Sequence, residues 1–120
     1  MPKPKAESYC DLIVWQRGIE LCIAIYGLTR VFPREEIYGL TNQLRRCSVS
    51  VPSNIAEGHG RRSRDQYKYF LGVACGSNLE LQTQLVIARA LNFGTPDVIG
   101  AAEQMSFEVG RMLTAMQQKL

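Results

Sequence analysis

The sequence predicts an all-α fold, an antiparallel, up-and-down bundle of four helices. Apolar residues recur at steps of three and four along four segments, which is the spacing of one face of an α-helix. Short connections containing glycine, proline and helix-capping residues separate the segments, and short connections favour antiparallel neighbours. No stretch alternates between apolar and polar residues over enough positions to indicate a strand.

Length and composition indicate one globular domain. The chain has 120 residues, 46% of them apolar and 21% charged, which is typical of a folded single domain. We expect residues 1–10 to form a flexible tail and residues 11–120 to form the bundle. No apolar run approaches the roughly 20 residues of a membrane span, and the lysine-containing start lacks the apolar core of a signal peptide. Together these features predict a cytoplasmic protein.

The first helix follows Asp11, which is a candidate N-cap, and ends near Phe32-Pro33. The apolar residues predicted to form its inward face recur at helical spacing. They are Leu12, Trp15, Ile19, Cys22, Ile23 and Tyr26.

The second helix contains Pro52, which has no amide hydrogen and should kink or break a helix. Its apolar series, Leu40, Leu44, Cys47, Val51 and Ile55, keeps one face through the proline. The sequence therefore predicts a helix kinked at Pro52, closed by Gly58 and Gly60.

The third and fourth helices have recognisable start signals. Ser63-Arg64-Asp65-Gln66 has the form of a capping box, and the third helix ends towards Gly94, a candidate C′ residue. Thr95-Pro96-Asp97 combines an N-cap, a first-turn proline and an acid. The inward faces are predicted to be Tyr67, Phe70, Leu71, Ala74, Asn78, Leu81, Leu85 and Ala88, and then Val98, Ala102, Met105, Val109, Met112, Leu113 and Met116.

The third helix is apolar on its outward side as well. From Tyr69 to Asn92 only Glu80 and Arg89 are charged, and a helix that is apolar nearly all round is expected to be buried nearly all round. A single four-helix bundle leaves one side of each helix exposed, so the sequence predicts a homo-oligomer. The predicted interface residues are Tyr69, Gly72, Val73, Gly76, Leu79, Thr83, Val86 and Ile87.

A basic cluster lies where the second and third helices meet. Residues 45–68 hold six cationic and two acidic side chains, while the net charge of the whole chain is only +3. Such clusters neutralise phosphates, and nearby tyrosines can stack on bases. The predicted nucleic-acid-binding residues are Arg46, Arg61, Arg62, Arg64 and Lys68, whereas Arg45 flanks the core. A solvated corner with internal ion pairs, or a different acidic partner, remains an alternative.

The sequence contains no arrangement typical of catalysis, metal binding or a cofactor site. The four cysteines, Cys10, Cys22, Cys47 and Cys75, are scattered, whereas zinc sites need clustered ligands, so reduced thiols in or near the core are expected. His59 is the only histidine, and a loop position between two glycines gives it no catalytic partner. The glycines around it do not form a phosphate-binding loop, which would follow a strand.

Three stretches, "DLIVWQRGIEL", "FPREEIYGLTNQLRRCSVSVPSNIAEGHGRRS" and "YKYFLGVACGSNLELQTQL", resemble the four-helix-bundle proteins encoded in intervening sequences of bacterial 23S rRNA genes. The resemblance covers about residues 11–116. It implies a small cytoplasmic protein without known activity, similar in fold to the accessory proteins of diversity-generating retroelements, which bind nucleic acid and a reverse transcriptase. It also implies a ring-shaped homo-oligomer, typically a pentamer. Cys47 and Cys75 stand where such proteins often have alanine.

These observations favour a non-enzymatic binding scaffold built from several copies of the chain. The first hypothesis is that its basic corner binds RNA or DNA. The alternative is an adaptor that binds a protein partner without nucleic acid, and no membrane partner is expected.

Overall fold

The computed structural model describes residues 8–120 and contains four α-helices. They are α1 (Ile13–Thr29), α2 (Leu40–His59), α3 (Arg64–Ala90) and α4 (Pro96–Lys119). Short 3-10 turns at Tyr9–Asp11 and Arg34–Glu36 precede α1 and α2. Residues 1–7 of the predicted tail lie outside the described residues, while Tyr9 packs its ring edge-on against Trp15 at a centroid distance of 5.3 Å.

The helices form an elongated bundle that measures 52 × 24 × 21 Å. Helix α1 packs against α2 and α4, and α3 packs against the same two helices. Helices α1 and α3 therefore occupy opposite corners of the bundle, each with one side facing outwards. The predicted all-α bundle of four helices is confirmed.

Helix α2 runs without interruption through Pro52. The five predicted inward residues of α2, Leu40, Leu44, Cys47, Val51 and Ile55, are all buried, which confirms the predicted face. The proline is buried too, and it packs against α1 at Gly18, where an added Cβ would lie 3.4 Å from the proline Cβ. The proline therefore does not break the helix, and the kink stays a prediction.

Of the predicted inward residues of α1, Leu12 and Trp15 pack partly buried against the core, but the rest of the predicted face is wrong by about one residue in register. The residues that enter the core are Val14, Gly18, Leu21, Ile25 and Leu28. Ile23 is 67% exposed and Tyr26 is 40% exposed. Because apolar side chains occur on both sides of this helix, periodicity alone could not distinguish the side that faces the core. Asp11 is not the N-cap either, since it lies in the preceding 3-10 turn and Leu12 caps the helix without a side-chain bond.

The inward face of α3 and its first turn are as predicted. Six of the eight predicted inward residues are buried, Tyr67 and Phe70 are half-buried, and the Ser63 hydroxyl accepts the amide of Gln66 at 3.0 Å. At the other end Asn92, not Gly94, is the C′ residue. Its φ is 59°, and its amide and that of Phe93 donate to the carbonyls of Arg89 and Ala88, which is the Schellman pattern.

Helix α4 begins at Pro96 with Thr95 at the N-cap position, although the threonine side chain makes no capping bond. One predicted inward residue is wrong, because Val98 is 46% exposed and its neighbour Ile99 is 1% exposed. The remaining predicted positions are buried or half-buried.

A buried polar pair joins α3 to α4. The Asn78 amide donates to the Ser106 carbonyl at 2.9 Å, and the Ser106 hydroxyl donates to Asn78 Oδ1 at 2.7 Å. Gln82 donates to the same hydroxyl at 3.0 Å. Gly110 leaves room for this arrangement, since a Cβ there would lie 3.2 Å from Asn78 Nδ2. Buried polar groups with all partners in place fix one arrangement of the surrounding helices.

We predict that Asn78→Ala lowers the free energy of unfolding by about 1–3 kcal/mol, because it removes the acceptor of the buried Ser106 hydroxyl and a donor to the Ser106 carbonyl. Asn42→Ala, at an exposed site on α2, is the matched control and should stay within about 0.5 kcal/mol of wild type. Urea unfolding at one protein concentration measures both values. Equal stability of Asn78→Ala and wild type would contradict the structural role of the pair.

Candidate functional site

The basic corner, defined as Arg61, Arg62, Arg64 and Lys68, lies at the end of the bundle where α2 leads into α3. The two helices approach closely here because Gly58 has no side chain. A Cβ at Gly58 would lie 3.0 Å from Phe70 Cβ and 3.1 Å from Tyr67 Cδ1. This close packing positions the short connection and the first turn of α3.

The four cations of the basic corner differ in their surroundings. Arg61 forms an ion pair with Glu57 and lies 4.8 Å from the centroid of the Phe70 ring. Arg62, Arg64 and Lys68 are exposed, and none of them forms an ion pair within residues 8–120. Arg64 and Lys68 are one helical turn apart, so they lie on the same side of α3. The corner therefore presents three cationic groups to solvent.

The other two arginines of the basic stretch lie elsewhere. Arg45 donates to the Thr29 hydroxyl at 2.9 Å and stacks 4.8 Å from the Tyr26 ring centroid, which gives it a structural contact with α1. Arg46 is exposed and lines a cleft between α2 and α3 together with Glu80. It lies about 20 Å along the helix axis from the end of α2, so the structure does not bring it to the basic corner.

Two aromatic residues beside the corner have different exposures. Tyr69 is 65% exposed and packs edge-on against Phe70, with ring centroids 5.1 Å apart. Tyr67 is half-buried, and burial raises the pKa of its phenol. His59 contacts Tyr67 edge-on at 6.0 Å. Tyr69 is thus the ring that a base could stack on, whereas Tyr67 holds the helix junction together.

Six of the eight predicted interface residues are exposed on the outward side of α3. We call the exposed apolar residues Leu79, Val86 and Ile87 the outer α3 face, and the exposed Tyr69 lies nearer the basic corner. Leu79 is 61% exposed and Val86 is 59% exposed. Gly76 and Thr83 are also exposed, while Gly72 and Val73 are half-buried. No charged side chain other than Glu80 interrupts the middle of this side.

A second exposed apolar surface lies where the sequence predicted part of the core. We call Ile23 and Tyr26 of α1 together with Val49 of α2 the α1–α2 face, since they are 67%, 40% and 43% exposed. The signal was present in the sequence, because Ile23 and Tyr26 belong to the regular series that was assigned to the core. The helical spacing of this apolar series is real, but the side of α1 that carries Ile23 and Tyr26 faces outwards.

The cleft between α2 and α3 contains the most buried of the cysteines. Cys47 donates to Glu80 at 3.3 Å and accepts from Gln84 at 3.5 Å. Burial, followed by the hydrogen bond to Glu80, raises the pKa of the Cys47 thiol, and burial also raises the pKa of Cys75. A raised pKa keeps a thiol protonated and unreactive, so neither thiol is prepared for nucleophilic chemistry.

Within residues 8–120, no group of three or more histidine, cysteine, aspartate or glutamate side chains could hold a metal ion. None of the helices described is both long enough and apolar enough to cross a membrane.

Two comparisons with known proteins agree with this fold. The family model described as 23S rRNA-intervening sequence protein matches residues 10–115. A crystal structure of a protein with unknown function from the S23 ribosomal protein family, from Bacteroides thetaiotaomicron, superposes with a TM-score of 0.82 at 19% identity. The superposed region covers 88% of this chain and 96% of the Bacteroides protein chain. At this sequence identity the likeness shows the fold alone. None of the curated proteins compared with the chain matches it.

We predict that iodoacetamide at about pH 8 alkylates the exposed Cys10 at least about tenfold faster than Cys47, because the raised pKa and burial suppress the Cys47 thiolate. The raised pKa also stabilises the folded chain below the unfolded thiol pKa, and this contribution is lost as the pH rises through the folded value. Mass spectrometry of timed digests measures the two rates. Equal alkylation of the two cysteines in folded protein would contradict the cleft geometry.

Proposed function

Because the chain belongs to the 23S rRNA-intervening sequence protein family, we propose that it is a non-enzymatic scaffold that assembles from several copies and binds nucleic-acid phosphates. The basic corner is the proposed contact. The observation that carries this proposal is the exposure of Arg62, Arg64 and Lys68 without an acidic partner among residues 8–120.

The electrostatics of the corner support phosphate binding. Glu57 is engaged by Arg61, so Asp65 is the remaining acid in the stretch from residue 57 to residue 68. Exposed cations that have no internal ion pair break no such pair when they bind phosphate. Their binding releases the counterions condensed on the nucleic acid. Tyr69, exposed beside the corner, adds a stacking surface that accepts any base.

RNA and DNA share the phosphate chemistry that this corner would recognise. The family takes its name from 23S rRNA, which makes single-stranded RNA the first probe to use. A DNA strand of the same sequence then distinguishes recognition of the sugar from recognition of the phosphates alone.

Self-assembly is proposed from the outer α3 face. Leu79, Val86 and Ile87 are large apolar side chains with 61%, 59% and 43% of their surface exposed in a single chain. Contiguous exposed apolar surface marks interaction sites. Assembly would also place several basic corners on one particle, and a nucleic acid that spans them would bind more tightly than to one chain. The proposed assembly is a ring, and a pentamer is the subunit number implied by the family resemblance.

A protein adaptor is the second candidate function. The observation that favours it is a groove of about 540 Å³ between α3 and α4, which exposes Leu79 and Phe107 on its walls. Grooves of about 300–1,000 Å³ with apolar walls are typical ligand-binding sites, and in an adaptor the side chains of a partner protein would fill this one. An adaptor would purify free of nucleic acid and retain its protein partner after nuclease treatment.

We predict that Arg62→Ala/Arg64→Ala weakens RNA binding and flattens its salt dependence. Two lost phosphate contacts reduce the slope of log K against log salt by about 1.4 for a single strand. Fluorescence anisotropy with a labelled single-stranded RNA at several salt concentrations measures both effects.

The matched control for this prediction is Arg30→Ala/Arg34→Ala, which removes the same charge from exposed positions near the opposite end of α2, about 30 Å away. The control should retain the wild-type slope. Equal slopes for wild type and both double variants would contradict binding at the basic corner.

A further inference from the structure

A cleft of about 630 Å³ opens where α1, the turn before α2 and the first half of α2 meet. Two tyrosines and two arginines line it, Tyr26, Tyr38, Arg45 and Arg46, and we call these four residues the tyrosine cleft. Among residues 8–120 no aspartate or glutamate lines this cleft. Its volume lies within the range of about 300–1,000 Å³ that is typical of ligand sites. It is separate from the basic corner, so the contact proposed above leaves it without a role.

The Tyr38 ring is exposed, although the backbone that carries it is fixed. Tyr38 is 91% exposed and lies in the turn between the 3-10 turn Arg34–Glu36 and α2. The Gly39 amide donates to the Glu36 carbonyl at 2.9 Å, and the Leu40 amide donates to Glu36 Oε1 at 3.1 Å. A Cβ at position 39 would lie 2.9 Å from that carboxylate oxygen, so glycine leaves this bond undisturbed. A ring that is held in place loses little freedom when a planar ligand stacks on it.

The opposite wall of the cleft is held by a chain of contacts. The Arg45 guanidinium lies 4.8 Å from the Tyr26 ring centroid, and its Nε donates to the Thr29 hydroxyl at 2.9 Å. That hydroxyl donates to the Ile25 carbonyl at 2.8 Å. The bond to Thr29 uses one of the five N–H groups of the arginine, so Arg45 is positioned and still has donors for a ligand.

The charge of the tyrosine cleft is positive. Arg46 lies between this cleft and the cleft of α2 and α3, which Glu80 also lines. Neither Arg45 nor Arg46 forms an ion pair with Glu80 or any other acid in the described part of the chain. Aromatic rings beside unpaired cations fit a planar ring that carries an anion, and a nucleotide combines a base with a phosphate.

From these observations we infer that the tyrosine cleft binds one unpaired nucleotide of a single strand, with its base stacked on Tyr38 and its phosphate held by Arg45 and Arg46. The inference rests on the proposed function and names its substrate class, which is single-stranded nucleic acid. A base in a duplex is stacked between its neighbours and must leave the helix before it can stack on a side chain. Because Tyr38 lies on the surface, the basic corner supplies the remaining affinity by holding the rest of the strand.

Tyr38→Ala tests the stacking contact, and Tyr38→Phe is the matched control because it keeps the ring. Fluorescence anisotropy measures the binding of one labelled single-stranded RNA and of the duplex of the same sequence. Tyr38→Ala should weaken single-strand binding by about 5- to 150-fold, which is the range that stacking of one base contributes, and should leave duplex binding unchanged. Tyr38→Phe should bind both as the wild type does.

Equal single-strand affinities of Tyr38→Ala and wild type overturn the inference, and so does an equal loss of duplex binding. If Arg62→Ala/Arg64→Ala flattens the salt dependence while Tyr38→Ala has no effect, the proposed function stands and the inference alone fails. A wild type that binds no RNA contradicts the proposed function itself.

Two further measurements exclude other occupants of the cleft. Sedimentation velocity should show the same oligomer for Tyr38→Ala and wild type, whereas a smaller oligomer would place Tyr38 in a contact between copies and overturn the inference. Adenosine monophosphate should compete with the labelled RNA only at far higher concentrations than an unlabelled strand does. Equal potency of the two competitors would assign the cleft to a free nucleotide and overturn its assignment to a strand.

Discussion

The rotation of α3 about its own axis is the constraint on which most of the structure depends, and Asn78 fixes it. Its amide exchanges two hydrogen bonds with Ser106 in the interior between α3 and α4. Turning α3 to hide its outward apolar side chains would break both bonds and leave buried polar groups without partners, at a cost of about 1–3 kcal/mol for each group. The outer α3 face therefore stays outwards, which is the basis of the proposed self-assembly.

This constraint connects the core to the proposed function. With α3 fixed, its first turn places Arg64 and Lys68 on the solvent side of the junction with α2, and Gly58 allows the close packing that holds the junction. The same helix thus supplies an apolar surface along its length and cations at its start. The proposed scaffold would assemble through the apolar surface and bind phosphate through the cations.

Most of the fold could be predicted from the sequence, because α2, α3 and α4 have start signals or a dominant apolar face. Helix α1 could not be placed in register, since Val14 and Ile23 lie on opposite sides and are equally apolar. The sequence favoured Gly94 over Asn92 as the C′ residue, because glycine usually occupies a left-handed C′ site and asparagine adopts that conformation less often. The pairing of Arg61 with Glu57, and the distance of Arg46 from the corner, depend on side-chain packing and on helix length. A count of charges along the sequence gives neither the ion pair nor the distance.

Carbene footprinting of the wild-type chain at increasing protein concentration tests most directly whether other copies cover α3. Labelling of Leu79 and Ile87 should fall towards that of the fully buried Leu81 as the concentration rises into the micromolar range, while labelling of the exposed Val31 stays constant. Labelling of Leu79 and Ile87 that remains as strong as that of Val31 at every concentration would show that the outer α3 face is stable in water, and would contradict assembly through it.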